Sequence, residues 1–206
     1  MRLLDLFCGA GGAAMGYHRA GFEVVGVDHL PQPHYPFEFI QADAMTYPLE
    51  GFDVIHASPP CQAFSVMKSL HNARAHADLI APLRARLCAA GKPYVIENVP
   101  GAPLETVFML CGSMFGLRSD RGYLRRHRLF ESNVLILAPS CQHNGVAVGV
   151  YGHGSAGFLG QRMRTANRDE ARLLMGTPAM TRDGMSQAIP PAYTLYIGTQ
   201  LMRVVS

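Results

Sequence analysis

The chain has 206 residues, 49% of them hydrophobic and 16% charged, enough for one well-cored domain and too apolar for a disordered chain. Its net charge of +3 is uneven, −3 over residues 1–114 and +6 over 115–206, which suits a polyanion facing the C-terminal part. No run nears the roughly 18 apolar residues of a membrane span, and the opening MRLLDLFCGAGG lacks the marks of a secretory leader.

In chain order, Leu3–Phe7 is an apolar run and Gly11–Ala20 has helical composition. Phe22–Asp28 and Phe52–Ala57 are β-branched runs. His76–Ala90 places Leu79, Ile80, Leu83 and Leu87 at helical spacing, and Tyr94–Glu97 is strand-like again. Strands alternating with helices predict an α/β fold with a mostly parallel sheet covered on both faces. In the second half, Val134–Leu137 reads as a strand and Gly145–Gly160 as loop or hairpin. Arg168–Gly176 reads as a short helix, and further helix follows Pro190-Pro191. Five cysteines without framework spacing fit a reducing, cytoplasmic setting.

Four segments carry candidate chemistry. Asp5–Gly12 (DLFCGAGG) is a strand running into a glycine turn that opens a helix, where backbone amides can approach a ligand closely. Read as Gly9-x-Gly11-x-x-Ala14 with Asp28 downstream, it leaves a nicotinamide dinucleotide and S-adenosylmethionine both open. Ser58–Gln62 (SPPCQ) puts Cys61 at the carboxyl end of a strand, behind two stiffening prolines. Cys8, Cys88 and Cys111 read as buried core cysteines. Glu97 ends another strand, and a thiolate and a carboxylic acid in one pocket can add to a ring and protonate it. In Arg125–Phe130 (RRHRLF), strand alternation would put Arg126 and Arg128 on one face, suited to phosphate or base contacts.

Taken together, DLFCGAGG, SPPCQAFS, ENVP, RRHRLF and the closing IPPAY resemble the cytosine-C5 DNA methyltransferases, in that family's order along the chain. The resemblance implies a Rossmann-like, S-adenosylmethionine-dependent methyltransferase fold. It spans residues 1–130, a cofactor-binding and catalytic region, and more weakly 168–206, which would complete the catalytic domain.

By resemblance, Asp5, Phe7, Gly9, Gly11 and Pro59 line the cofactor site, Asp28 holds the ribose hydroxyls, and Asp43 lies near the adenine. Cys61 would attack C6 of a flipped cytosine in double-stranded DNA, with Gln62 beside it. Glu97 would protonate N3, and Arg126 and Arg128 would hold the base edge and backbone. Gln62–His76 fits a loop closing over the base, with Ser65, Lys68 and Arg74 towards phosphate.

The chain departs from the family pattern in three places. Only 37 residues, Glu131–Asn167, stand where a target-recognition region is expected. That implies a short target sequence or a protein partner supplying specificity. Ser186-Gln187 replaces a late Gly-Asn, and Leu124 replaces a glutamine before the arginine pair. A monomer is expected. Cys141-x-His143 with His153 falls short of a four-ligand metal site and reads as polar loop, so no metal is expected. Three alternatives remain: the same chemistry on RNA or a free pyrimidine nucleotide, a silent DNA-binding homologue, and an oxidoreductase resting on the glycine turn alone.

Overall fold

The computed structural model describes residues 1–61, 78–151 and 163–205. Five parallel strands form most of the main sheet: β1 (Arg2–Leu6), β2 (Glu23–Asp28), β3 (Glu38–Gln41), β4 (Val54–Ala57) and β5 (Tyr94–Asn98). Two more, β6 (Val107–Leu110) and β9 (Arg128–Ser132), extend it in the order β3-β2-β1-β4-β5-β9-β6, with β9 antiparallel to both neighbours. β1 and β4 are fully or almost fully buried, as strands covered on both faces must be.

One face is covered by α1 (Gly12–Arg19) and α5 (Pro191–Val205), which bury Tyr17, Tyr193, Ile197 and Leu201 against Leu3, Val24, Val54 and Phe130. The two helices approach so closely that a Cβ on Gly16 would fall 2.2 Å from the Pro191 carbonyl oxygen. Thr194 Oγ1 donates to the Ala13 carbonyl, 2.8 Å away, across the same contact. The other face is covered by α2 (Ile80–Ala90), whose Leu83 and Leu87 pack with Leu4, Leu6, Ile55 and Ile96. Burying each such leucine contributes about 1.5–3 kcal/mol. Cys88 lies off this stripe and is exposed, against the expectation of a core cysteine.

A second, smaller sheet has the order β11-β10-β8-β7, built from β7 (Arg118–Ser119), β8 (Gly122–Leu124), β10 (Ala147–Gly149) and β11 (Arg164–Thr165). It packs with α3 (Arg168–Met175) and α4 (Arg182–Gln187) through Val148, Leu174, Met175 and Met185. Asn167 caps the start of α3 by accepting from the Glu170 amide, and Gly176 ends it in the left-handed region, ordinary helix start and stop signals. The small lobe therefore draws on residues either side of position 130.

Two expectations change here. Val134–Leu137 is not a strand, because both sides of β9 are already taken by β5 and β6. The segment instead crosses α5, where Tyr196 Oη donates to the Leu137 carbonyl at 2.6 Å, and it leaves Leu135 and Leu137 exposed. Within Gly145–Gly160, Ala147–Gly149 is a strand, β10, parallel to both of its neighbours rather than one arm of a hairpin. Among the described residues no helix is long and apolar enough to cross a membrane.

Candidate active site

In the strand order, β1 passes on one side to β2 and β3 and on the other to β4 and β5. Such a reversal opens a crevice at the carboxyl ends of the strands, where ligands bind in open α/β sheets. The glycine turn follows β1, and the Cys61 loop follows β4. The Ser58 amide donates to the Leu6 carbonyl at 3.1 Å, so the two loops leave the sheet side by side.

The turn is held in conformations few residues tolerate. Gly9 and Gly11 have φ of 49° and 82°, and Phe7 also lies in the left-handed region at 57°. For Phe7 this costs about 1–2 kcal/mol, a strain that commonly collects at ligand sites. The Gly9 amide donates to Asp28 Oδ2 and the Leu30 amide to Asp28 Oδ1, each at 3.0 Å. Oδ1 also lies 3.3 Å from His29 Nδ1, while Oδ2 keeps a further lone pair that can accept a hydroxyl donor. Asp5 is fully buried. Its Oδ2 accepts from Tyr35 Oη at 3.3 Å while Oδ1 has no partner among the described residues. Burial pushes its carboxyl up to about 8, with Tyr35 opposing and Asp28 adding to the shift. Asp43 is exposed just past β3, its Oδ1 accepting from the Met45 amide at 2.8 Å. These residues make a cradle fitting a nucleoside with vicinal hydroxyls.

Across the crevice, β4 and β5 run parallel with Ala57 opposite Ile96. That register sets Glu97 one residue past the pairing, level with the start of the Cys61 loop. Asn98 Nδ2 donates to the carbonyl of the buried Pro59 at 2.9 Å and pins the loop to β5. Glu97 is 7% exposed, and Arg128, at the start of β9, meets it with Nε 3.0 Å from Oε1. Burial raises the Glu97 carboxyl above its usual range, held back by Arg128, Arg126 and a hydrogen bond from Ser58. Cys61 is half-buried, and burial likewise raises its thiol, with Arg128 opposing and Glu97 adding. Burial thus makes both the Cys61 thiol and the Glu97 carboxyl hold a proton more tightly than they would in water.

The arginine run is strand only from Arg128 onward. Arg126 precedes it and is 5% exposed, donating to the Val150 carbonyl at 2.9 Å and the Ser186 carbonyl at 2.6 Å. The two guanidiniums thus do not form one outward pair. Arg126 ties the main sheet to β10 and α4, and Ser186, a point of departure from the family pattern, supplies a backbone acceptor. Gln62, Ser65, Lys68, Arg74 and His153 lie outside the described residues.

Sequence reasoning passed over the groups behind Glu97. Tyr17 Oη lies 3.0 Å from His56 Nδ1, and His56 Nε2 lies 2.9 Å from Ser58 Oγ, which hydrogen-bonds Glu97. Burial drives His56 down to about 3, so the chain of contacts is neutral. A polar residue inside a strand expected to be buried on both faces was the signal available in the sequence.

Among solved structures, the chain is similar over its whole length to an E. coli protein described as a DNA modification methyltransferase encoded within a prophage, at 15% identity and a TM-score of 0.64 over 99% of that chain. It is similarly close to the S. pombe Dnmt2 methyltransferase, at 12% identity and a TM-score of 0.62 over 99% of that chain. At such identities the likeness establishes the fold, a Rossmann-like methyltransferase fold. By sequence it is 28% identical over 182 residues to the Type II methyltransferase M.HgiDI of Herpetosiphon aurantiacus, covering 79% of this chain and 57% of that protein. M.FnuDI of Fusobacterium nucleatum is 34% identical over 80 residues, 34% of this chain and 23% of that protein. The chain thus spans little more than half the length of the first of these relatives. Residues 1–104, half of the sequence, match the family model of the C-5 cytosine-specific DNA methylases, and the chain belongs to that family.

Proposed function

We propose that this chain transfers a methyl group from S-adenosylmethionine to C5 of a cytosine flipped out of double-stranded DNA, through a covalent bond to Cys61. The observation that carries the reading is the convergence of Cys61, Glu97 and Arg128 at the strand ends beside the glycine turn. S-adenosylmethionine would supply an electrophilic methyl on a sulfonium. Phe7, Gly9 and Gly11 would line its site together with Asp5 and Pro59, with Asp28 on the ribose and Asp43 towards the adenine.

The steps of this chain's own residues then follow. The Cys61 thiol gives its proton to water and the sulfur bonds to C6, placing an electron pair on the ring. Glu97, whose hold on a proton burial strengthens, hydrogen-bonds N3 and gives it a proton, which neutralises that charge. Arg128 holds Glu97 and reaches the base edge, while Arg126 is a positioning residue behind it. Once C5 carries the methyl, loss of the C5 proton to a base expels the Cys61 sulfur and restores the ring. The base must leave the duplex for this, at about a few kcal/mol. The region 131–167, whose described residues supply only β10 and β11 of the small sheet beyond the end of β9, would contribute little direct base readout. Target choice would then be short or shared with a protein partner, the enzyme itself acting as a cytoplasmic monomer.

The test uses tritiated S-adenosylmethionine, mixed-sequence duplex DNA, and a duplex carrying 5-fluorocytosine. Label in the DNA and an SDS-stable adduct are expected, both absent in Cys61→Ser while cofactor binding persists. Full transfer by Cys61→Ser would end the covalent mechanism. Label appearing only in RNA or free nucleotide would replace the substrate.

A further inference from the structure

We propose that Cys111, His127, Cys141 and His143 form a tetrahedral site for a thiophilic divalent transition metal, zinc in the cell, which staples the small lobe to the catalytic sheet. The four side chains come from three places. Cys111 follows β6, His127 immediately precedes β9, and Cys141 and His143 lie in the irregular stretch leading to β10. One ligand atom of each lies within 4.8 Å of all the others.

Three of the six separations match those a tetrahedral ion requires, and the rest stay within 4.8 Å. Cys111 Sγ lies 3.5 Å from His143 Nε2, Cys141 Sγ 3.6 Å from His127 Nε2, and the two Nε2 atoms 3.3 Å from each other. With Zn–S near 2.3 Å and Zn–N near 2.05 Å at tetrahedral angles, the sulfur–nitrogen edge is about 3.6 Å and the nitrogen–nitrogen edge about 3.3 Å. Two thiols and two imidazoles are also the donor set that selects zinc over magnesium or calcium.

The surroundings hold these donors in place. Tyr123 on β8 stacks on His143 with centroids 5.5 Å apart and planes 11° from parallel. Ser113 Oγ donates to Cys111 Sγ at 3.4 Å and accepts from the Gln142 amide at 3.2 Å, linking the two cysteine segments behind the ligands. Such outer contacts orient metal ligands. Four protein ligands close the coordination sphere, which marks a structural rather than a catalytic metal. The sequence showed Cys141-x-His143 with His153 downstream, and it missed the other two ligands because they lie 14 or more residues upstream and meet the pair through the fold.

His127 sits between Arg126 and Arg128, so a metal here fixes the backbone that aims Arg128 at Glu97. It also anchors a stretch, 133–146, that carries no helix or strand of its own.

The experiment takes the full chain, purified untagged under reducing conditions, and measures metal by inductively coupled plasma mass spectrometry. About one zinc per chain is expected in the wild type, falling at least tenfold in Cys141→Ser and in His143→Ala. Both positions lie at or near the surface, so these variants serve even if Cys111→Ser fails to fold. Cobalt(II) added to chelator-stripped protein should give the visible bands of a tetrahedral thiolate site and release protons on binding. Substoichiometric zinc with no cobalt bands would overturn the proposal. So would a Cys111–Cys141 disulfide in freshly purified protein, or undiminished metal in both variants.

Discussion

Arg128 is the side chain on which the acid depends. Its Nε lies 3.0 Å from Glu97 Oε1, and its charge acts on both Glu97 and Cys61. Arg128→Ala should therefore cut kcat/KM for DNA by at least 100-fold while changing S-adenosylmethionine affinity less than threefold, about 2.7 kcal/mol against less than about 0.7 kcal/mol. Isothermal titration of the cofactor beside steady-state kinetics measures both; the reverse pattern would move the arginine out of the base site. Two buried groups contribute opposite slopes to the pH dependence of stability. Asp5 has its carboxyl raised to about 8, so its stabilisation is complete below about 4 and is lost as pH rises through 8. His56, lowered to about 3, works the other way: stability falls as pH drops from about 6.5 towards 3, because only the unfolded chain takes the proton. The two slopes oppose each other between about 4 and 6.5, and above 6.5 only the Asp5 slope of this pair continues, up to about 8. Between pH 6.5 and 8 the urea midpoint of the cofactor-free protein should fall relative to that of Asp5→Asn, and parallel profiles would remove Asp5 from the pH dependence.

Among the elements, α2 is bound to the sheet by charge as well as by its leucines. Arg84 reaches the buried Glu131 on β9 through Nε at 2.6 Å and a second nitrogen at 2.7 Å, and Glu131 also accepts from the Glu105 amide at 2.7 Å. Removing the arginine strands a carboxylate that is 2% exposed, a loss of about 3 kcal/mol. Arg84→Ala should show it as a lowered urea midpoint with an unchanged slope. Elements with their own periodicity were legible in the sequence: β1, β2, β4, β5, the leucine stripe of α2 and α3 all appear where apolar spacing put them. What was not legible depended on partners. Val134–Leu137 is a short apolar run like a strand's, yet its Leu137 carbonyl is taken by Tyr196 on α5 and it joins neither sheet. β7, β8 and β10 are two or three residues long and acquire meaning only beside each other. Arg126 looked like half of a surface pair, and only the fold supplies the Val150 and Ser186 carbonyls that turn it inward.

At the scale of the molecule, the candidate site was readable because its parts hang on strand ends, which the sequence marks with glycine, proline and acid. The four-ligand cluster was not, because its spacing of fifteen, thirteen and one intervening residues follows no local motif. The same long-range dependence governs the contact between α1 and α5. Gly16 and Ala13 belong to the first helix of the chain, while Pro191 and Thr194, which close over them, belong to the last. During translation the cofactor turn and its helix emerge early, yet Tyr17 and the sheet beneath stay uncovered until the fifteen residues of α5 have left the ribosome. Competence therefore arrives late and all at once: a nascent chain carries Cys61 and Glu97 long before it can hold them in register, and a chain that stops short of α5 leaves an open apolar face for chaperones and proteases.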